Sequence, residues 1–141
     1  MSSRQRSVIA YLVGAGIAGS FLFAPYVGRP FVTAAFPHLR DLAYSFPFFL
    51  LPVPWGLWNF WYQRRRPGFR IGTWGASLGV LMVAGANLLL LARGQWFPLL
   101  LVAFVNLPAG YYLLWSFIIG PVNDFVGLGD DGARAPGSRG A

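Results

Sequence analysis

The side chains able to move a proton, hold a metal or attack a substrate are few in this 141-residue chain. It has one His, four Asp and eleven Arg, with no Cys, Lys or Glu. Lack of Cys removes thiolate metal sites, thiol catalysis and disulfides. Guanidinium groups stay protonated and cannot serve as bases. Hydrolysis needs a nucleophile beside a base, and no such pairing is visible. The reading is therefore of a protein that is not an enzyme.

His38 is the one side chain whose ordinary pKa lies near neutrality. An imidazole there suits an axial ligand to haem iron or chlorophyll magnesium, and Ala34 four residues earlier resembles the Ala-x-x-x-His spacing of pigment-binding antenna helices. Pro37 directly before it, with Arg40 and Asp41 just after, argues for an interfacial loop with a headgroup contact or local hydrogen bond. Asn59, Asn87 and Asn106 are the notable polar residues in otherwise apolar surroundings. Hydrogen bonds between membrane helices average only ~0.6 kcal/mol, so these groups set register more than they stabilise. Asn106 lies two residues before Pro108, whose missing amide frees a carbonyl and creates a small polar spot.

The elements that must position these residues are apolar. Hydrophobic residues make up 56% and charged residues 11% of the chain, too little charge for an ordinary water-soluble domain. A membrane-crossing helix needs about 20 mostly apolar residues. Residues 8–27, 71–92 and 96–120 supply three. Residues 46–62 are a fourth candidate, but Pro47, Pro52 and Pro54 crowd its first half. Proline lacks an amide donor and clashes with the carbonyl four residues back, so this span either crosses with a break or re-enters the membrane. Arg4 and Arg6 before the first run resemble a signal peptide, but the run is long and Pro25 discourages cleavage after Ala24, so a retained helix is expected.

Phe31, Ala35, Leu39 and Leu42 share a helical face within Gly28–Ser45, an interfacial-helix pattern that Pro37 interrupts. Arg93-Gly94-Gln95 is so short that the third and fourth spans must form an antiparallel hairpin. From residue 121 onward the sequence is a polar flexible tail. The expected fold is an all-helical integral membrane protein: one transmembrane domain over 1–120, an interfacial segment and a C-terminal tail.

With four crossings and the N-terminus inside, eight Arg lie in the cytoplasm and three outside. A re-entrant second span with the N-terminus outside gives the same division. Both arrangements place the knot Arg64, Arg65, Arg66 and Arg70, and the tail, in the cytoplasm. The net charge of +7 then reads as topology signal and anchor for anionic lipid headgroups, not as nucleic-acid binding. The expected location is the bacterial cytoplasmic membrane.

Small residues recur four apart in the first span (Ala10, Gly14, Ala18; Ala15, Gly19) and in the third (Gly72, Ala76; Gly75, Gly79). They let helix backbones approach closely, either within the chain or against another subunit. Asp, Glu, Lys or His usually mark proton and cation paths, and none lies in the three clear spans. The expected function is a non-catalytic accessory subunit of a larger membrane complex, respiratory or photosynthetic, packing against larger integral subunits. No dedicated cofactor is expected, although lipid, quinone or pigment at a subunit interface would fit. The alternative is a small homo-oligomeric channel or transporter for a neutral or anionic solute.

Overall fold

The computed structural model describes residues 2–37, 40–45, 47–65, 68–94 and 99–129. Among them all regular structure is helical. The chain divides into two compact units, Met1–Arg64 and Arg65–Ala141.

In the first unit, α1 (Ser3–Phe21) opens with a capping box. The Ser2 hydroxyl accepts from the Gln5 amide at 3.2 Å, and the Gln5 side chain accepts from the Ser2 amide at 2.9 Å. Two of the four amides a helix start leaves unpaired are thereby satisfied. The helix does not stop at Val27. It passes Leu22, where the Leu22 amide turns to the Gly19 carbonyl at 3.2 Å, and continues as α2 (Phe23–Ala35). Pro25 accounts for the break, because its ring crowds the Phe21 carbonyl and offers no amide to it. Together the two form a 33-residue helix, Ser3–Ala35, about 50 Å long.

This alters the interfacial segment. The first part of Gly28–Ser45 extends the first helix to Ala35, and Arg40–Ser45 forms a separate short helix, α3. Leu39 lies outside the described residues. A 3-10 turn, Phe48–Leu50, then leads into α4 (Pro52–Arg65). Pro52 and Pro54 sit in the first turn of α4, where amides have no helical partner to lose.

In the second unit, α5 (Ile71–Ala92) and α6 (Leu99–Leu114) form the expected antiparallel hairpin. Gly94 in the turn takes φ +67°, a left-handed conformation that favours glycine. Beyond α6 a π-helical turn, Trp115–Ile119, precedes α7 (Gly120–Phe125). The helix thus continues past residue 120 into the expected tail. It ends with Gly127 at φ +77° and the Leu128 amide bonded to the Asn123 carbonyl at 2.8 Å, a Schellman arrangement. Leu128 tucks in at 1% exposure, the hydrophobic contact that accompanies this cap. The rest of the expected tail, 130–141, lies outside the described residues.

Among the described residues three helices are long and apolar enough to cross a membrane: Ser3–Ala35, Ile71–Ala92 and Leu101–Phe125. The second expected span yields a 14-residue helix, about 21 Å against a hydrocarbon layer of about 30 Å. It falls short by itself, because three prolines prevent the helix from starting earlier.

Candidate functional site: the helix seams and the outer face of α6

The seam of the first unit is built from absent side chains. Ala10, Gly14 and Ala18 fall four apart and are all buried, so one stripe of α1 presents almost bare backbone. A Cβ on Gly14 would stand 3.1 Å from the Asn59 Cβ and 2.9 Å from the Trp55 carbonyl carbon. Gly56 of α4 reciprocates, lying under the Tyr11 ring at 2.7 Å from a would-be Cβ. Into this close approach Asn59 donates a hydrogen bond to the Ala10 carbonyl at 2.8 Å. Asn59 is fully buried, and Gln63 one turn further is buried as well. The contacts pair early α1 with late α4, so the two helices run antiparallel.

The second unit repeats the device. Gly72 faces Tyr112 and Ser116, Gly75 lies on Trp115, and Gly79 lies 2.8 Å from the Pro108 Cα, each measured from a would-be Cβ. The Trp115 ring is wholly buried and stacks on Tyr111, with centroids 5.5 Å apart and planes 11° from parallel. Asn87 continues the seam but does not bridge it. Its amide nitrogen donates to the Val83 carbonyl of its own helix at 2.8 Å, and its Oδ1 is buried without a hydrogen-bond partner among the described residues.

The π turn explains how Pro121 fits. The Gly120 amide bonds to the Trp115 carbonyl, five residues back. The widened turn accommodates one extra residue just before a proline that could not donate. Sequence periodicity does not reveal it; Pro121 directly after an aromatic-rich run is the only hint.

Asn106 points the other way. It is two residues, about 200°, from Pro108, which packs on Gly79. It is therefore on the face of α6 away from α5, and it is exposed. Val102, Val105 and Leu113 share that side at 50%, 71% and 55% exposure. Ala109 and Gly110, also exposed, complete it. The Asn106 amide nitrogen donates to the Val102 carbonyl at 3.1 Å. This is its one hydrogen bond among the described residues, and it leaves the carboxamide oxygen open.

The remaining expected site residues are dispersed. Gly14, Ala18, Gly75 and Gly79 lie within the seams, whereas Gly19 has open space where a Cβ would stand. Arg64, Arg65 and Arg70 are exposed, and Arg64 lies 5.9 Å from the Phe60 ring centroid. Arg66 and His38 fall outside the described residues. Among the described residues no three His, Asp or Glu side chains converge as a metal-binding group. No protein-family model matches the chain, and no curated protein or solved structure matches it.

Proposed function

We propose that the chain is a non-catalytic accessory subunit of a larger membrane complex, docking through the outer face of α6 against larger integral subunits. Asn106 carries the proposal. It lies seven residues, about 10 Å, along the helix from Leu99, on an apolar face directed away from its own hairpin. Lipid tails offer no donor to its oxygen, and a buried acceptor without a partner costs ~1–3 kcal/mol. A neighbouring helix supplies what lipid cannot, and Ala109 with Gly110 beside it permits close backbone approach. The share of the α6 span buried within the chain is 11%, against 33% for α5, which leaves most of α6 available.

The proposal places the protein in a bacterial cytoplasmic membrane, in a respiratory or photosynthetic assembly, with its C-terminus and the Arg64–Arg70 knot in the cytoplasm. It includes a fourth crossing by α4 together with the 3-10 turn before it. That path from Phe48 to Arg65 rises about 29 Å, close to the hydrocarbon thickness. Lipid, quinone or pigment would occupy the gaps between subunits.

Purification of the native protein and of Asn106→Leu from gentle detergent tests the docking face. The native chain should co-purify with several larger subunits, and the variant should insert normally yet elute without them. A uniform small oligomer of the native chain would overturn the reading in favour of the channel or transporter. Reporters fused at the N-terminus and after Arg139 test the topology; exposure of the Arg139 fusion outside the cytoplasm would refute it.

A further inference from the structure

The 33-residue first helix carries Arg6 near its start and Arg29 within α2, with no charged residue between them. Twenty-three residues of helix separate the two by about 35 Å, slightly more than the hydrocarbon layer. Arg29 therefore reaches the headgroup level of the leaflet opposite Arg4 and Arg6.

Its surroundings at that level are aromatic. The guanidinium carbon lies 4.2 Å from the Tyr26 ring centroid, 5.4 Å from that of Tyr44 and 5.7 Å from that of Phe48. Three elements thus converge on one cation: α2, α3 and the 3-10 turn. Arg29 Nε is buried without a hydrogen-bond partner among the described residues. Aromatic faces hold a cation in place, but they carry no net charge to neutralise it. Asp41 is the one carboxylate in residues 1–64, and it is itself engaged in an interaction.

A guanidinium remains charged at any physiological pH and presents a planar fork of donors that matches two oxygens of one phosphate. Tyr26 and Tyr44 are 41% and 54% exposed, and each adds a phenolic donor at the depth where such rings settle. We infer that Arg29, clasped by Tyr26, Tyr44 and Phe48, binds the phosphodiester of an anionic phospholipid in the leaflet opposite Arg4 and Arg6. The rings fix the guanidinium plane and the lipid supplies the missing negative charge. This site is separate from the Arg64–Arg70 knot and does not depend on the docking role of α6.

The test is native mass spectrometry of the full chain in an uncharged detergent, titrated with phosphatidylglycerol. A background carrying Arg64→Gln, Arg65→Gln, Arg66→Gln and Arg70→Gln removes the competing basic cluster. One tightly held lipid per chain is expected, and Arg29→Gln in that background should weaken it about tenfold or more, the scale of a lost charged hydrogen bond. Arg29→Lys, which keeps charge but loses the fork, should fall between the two. Should Arg29→Gln lose helicity by circular dichroism, Tyr44→Leu serves in its place and should weaken binding severalfold. Equal lipid retention by the parent and by the folded Arg29 or Tyr44 variant would overturn the site. Displacement of the lipid by millimolar inorganic phosphate would overturn the lipid assignment in favour of a free anion. Loss of a co-purifying subunit with lipid binding unchanged would instead identify a partner carboxylate as the counter-ion.

Discussion

The two units solve the same packing problem with similar parts and differ at one atom. Each has a glycine-bearing helix pressed against an antiparallel partner, with a buried tryptophan at the contact: Trp55 beside Gly14, Trp115 beside Gly75. Each seam also holds a buried asparagine. Asn59 reaches across and donates to the backbone of the other helix, whereas Asn87 turns back onto its own. Identical chemistry thus fastens two helices in one unit and leaves an open acceptor in the other. A polar residue in a membrane helix is informative only once its partner is known.

The strongest way to break the likeness is to fill a seam. Gly75→Leu should abolish recovery of folded protein, since even a Cβ there would stand 2.5 Å from the Trp115 Cβ. Overpacking of this kind costs ~1–3 kcal/mol or more. Gly14→Leu should do the same in the first unit, where backbone stands in the way. Leu88→Ala, at a position 67% exposed, is the control and should leave yield and melting temperature nearly unchanged. Comparable yields from Gly75→Leu and Leu88→Ala would remove the close-packed seam.

The asparagines sharpen the comparison through the sign of the effect. Asn59→Leu should lower thermal stability by ~0.6–1.7 kcal/mol, from the measured average to the measured maximum for helix-to-helix bonds in membranes. Asn87→Leu should be neutral or stabilising by up to ~1 kcal/mol, because replacing an acceptor without a partner by an apolar group removes a penalty. Detergent melts of the two variants side by side decide it; equal destabilisation would mean that Asn87 has a role the geometry does not show.

The smallest effect belongs to the free small residues. Gly16→Ala and Gly19→Ala meet nothing within 4 Å and should each stabilise the isolated protein by ~0.5–1 kcal/mol through helix propensity. Loss of a co-purified subunit in either variant would mark that side of α1 as a second docking face.

Much of this arrangement was legible in the residues themselves. Small residues four apart in the first and third spans anticipated close approach, and the short turn at Arg93 anticipated the hairpin. What could not be read was which side each small residue faces. Gly14 and Gly19 look alike in sequence, yet one meets Trp55 and the other meets nothing, because the partner comes from some forty residues away in the chain. The extension of the first helix through Pro25 and Pro30 is hidden in the sequence because proline weakens a helix without always ending it. Asn106 stands out in the sequence for its neighbour Pro108, but its outward direction depends on Pro108 packing against Gly79. Arg29 reads in the sequence only as a charge, since the rings that clasp it come from three separate elements.

The π turn at Trp115–Ile119 acts as a phase slip in an otherwise regular wave. Before it, the inward positions of α6 recur through Tyr111 and Trp115; after it, the pattern resumes displaced by one residue, and Asn123 and Leu128 turn inward. Removing a single residue from this turn would rotate everything that follows by about 100°. Asn123 would leave the interior, and the Schellman cap would lose the seat for Leu128. The chain can therefore lose length at neither Ser116 nor Phe117 without redirecting its C-terminal helix, although neither side chain is itself fully buried.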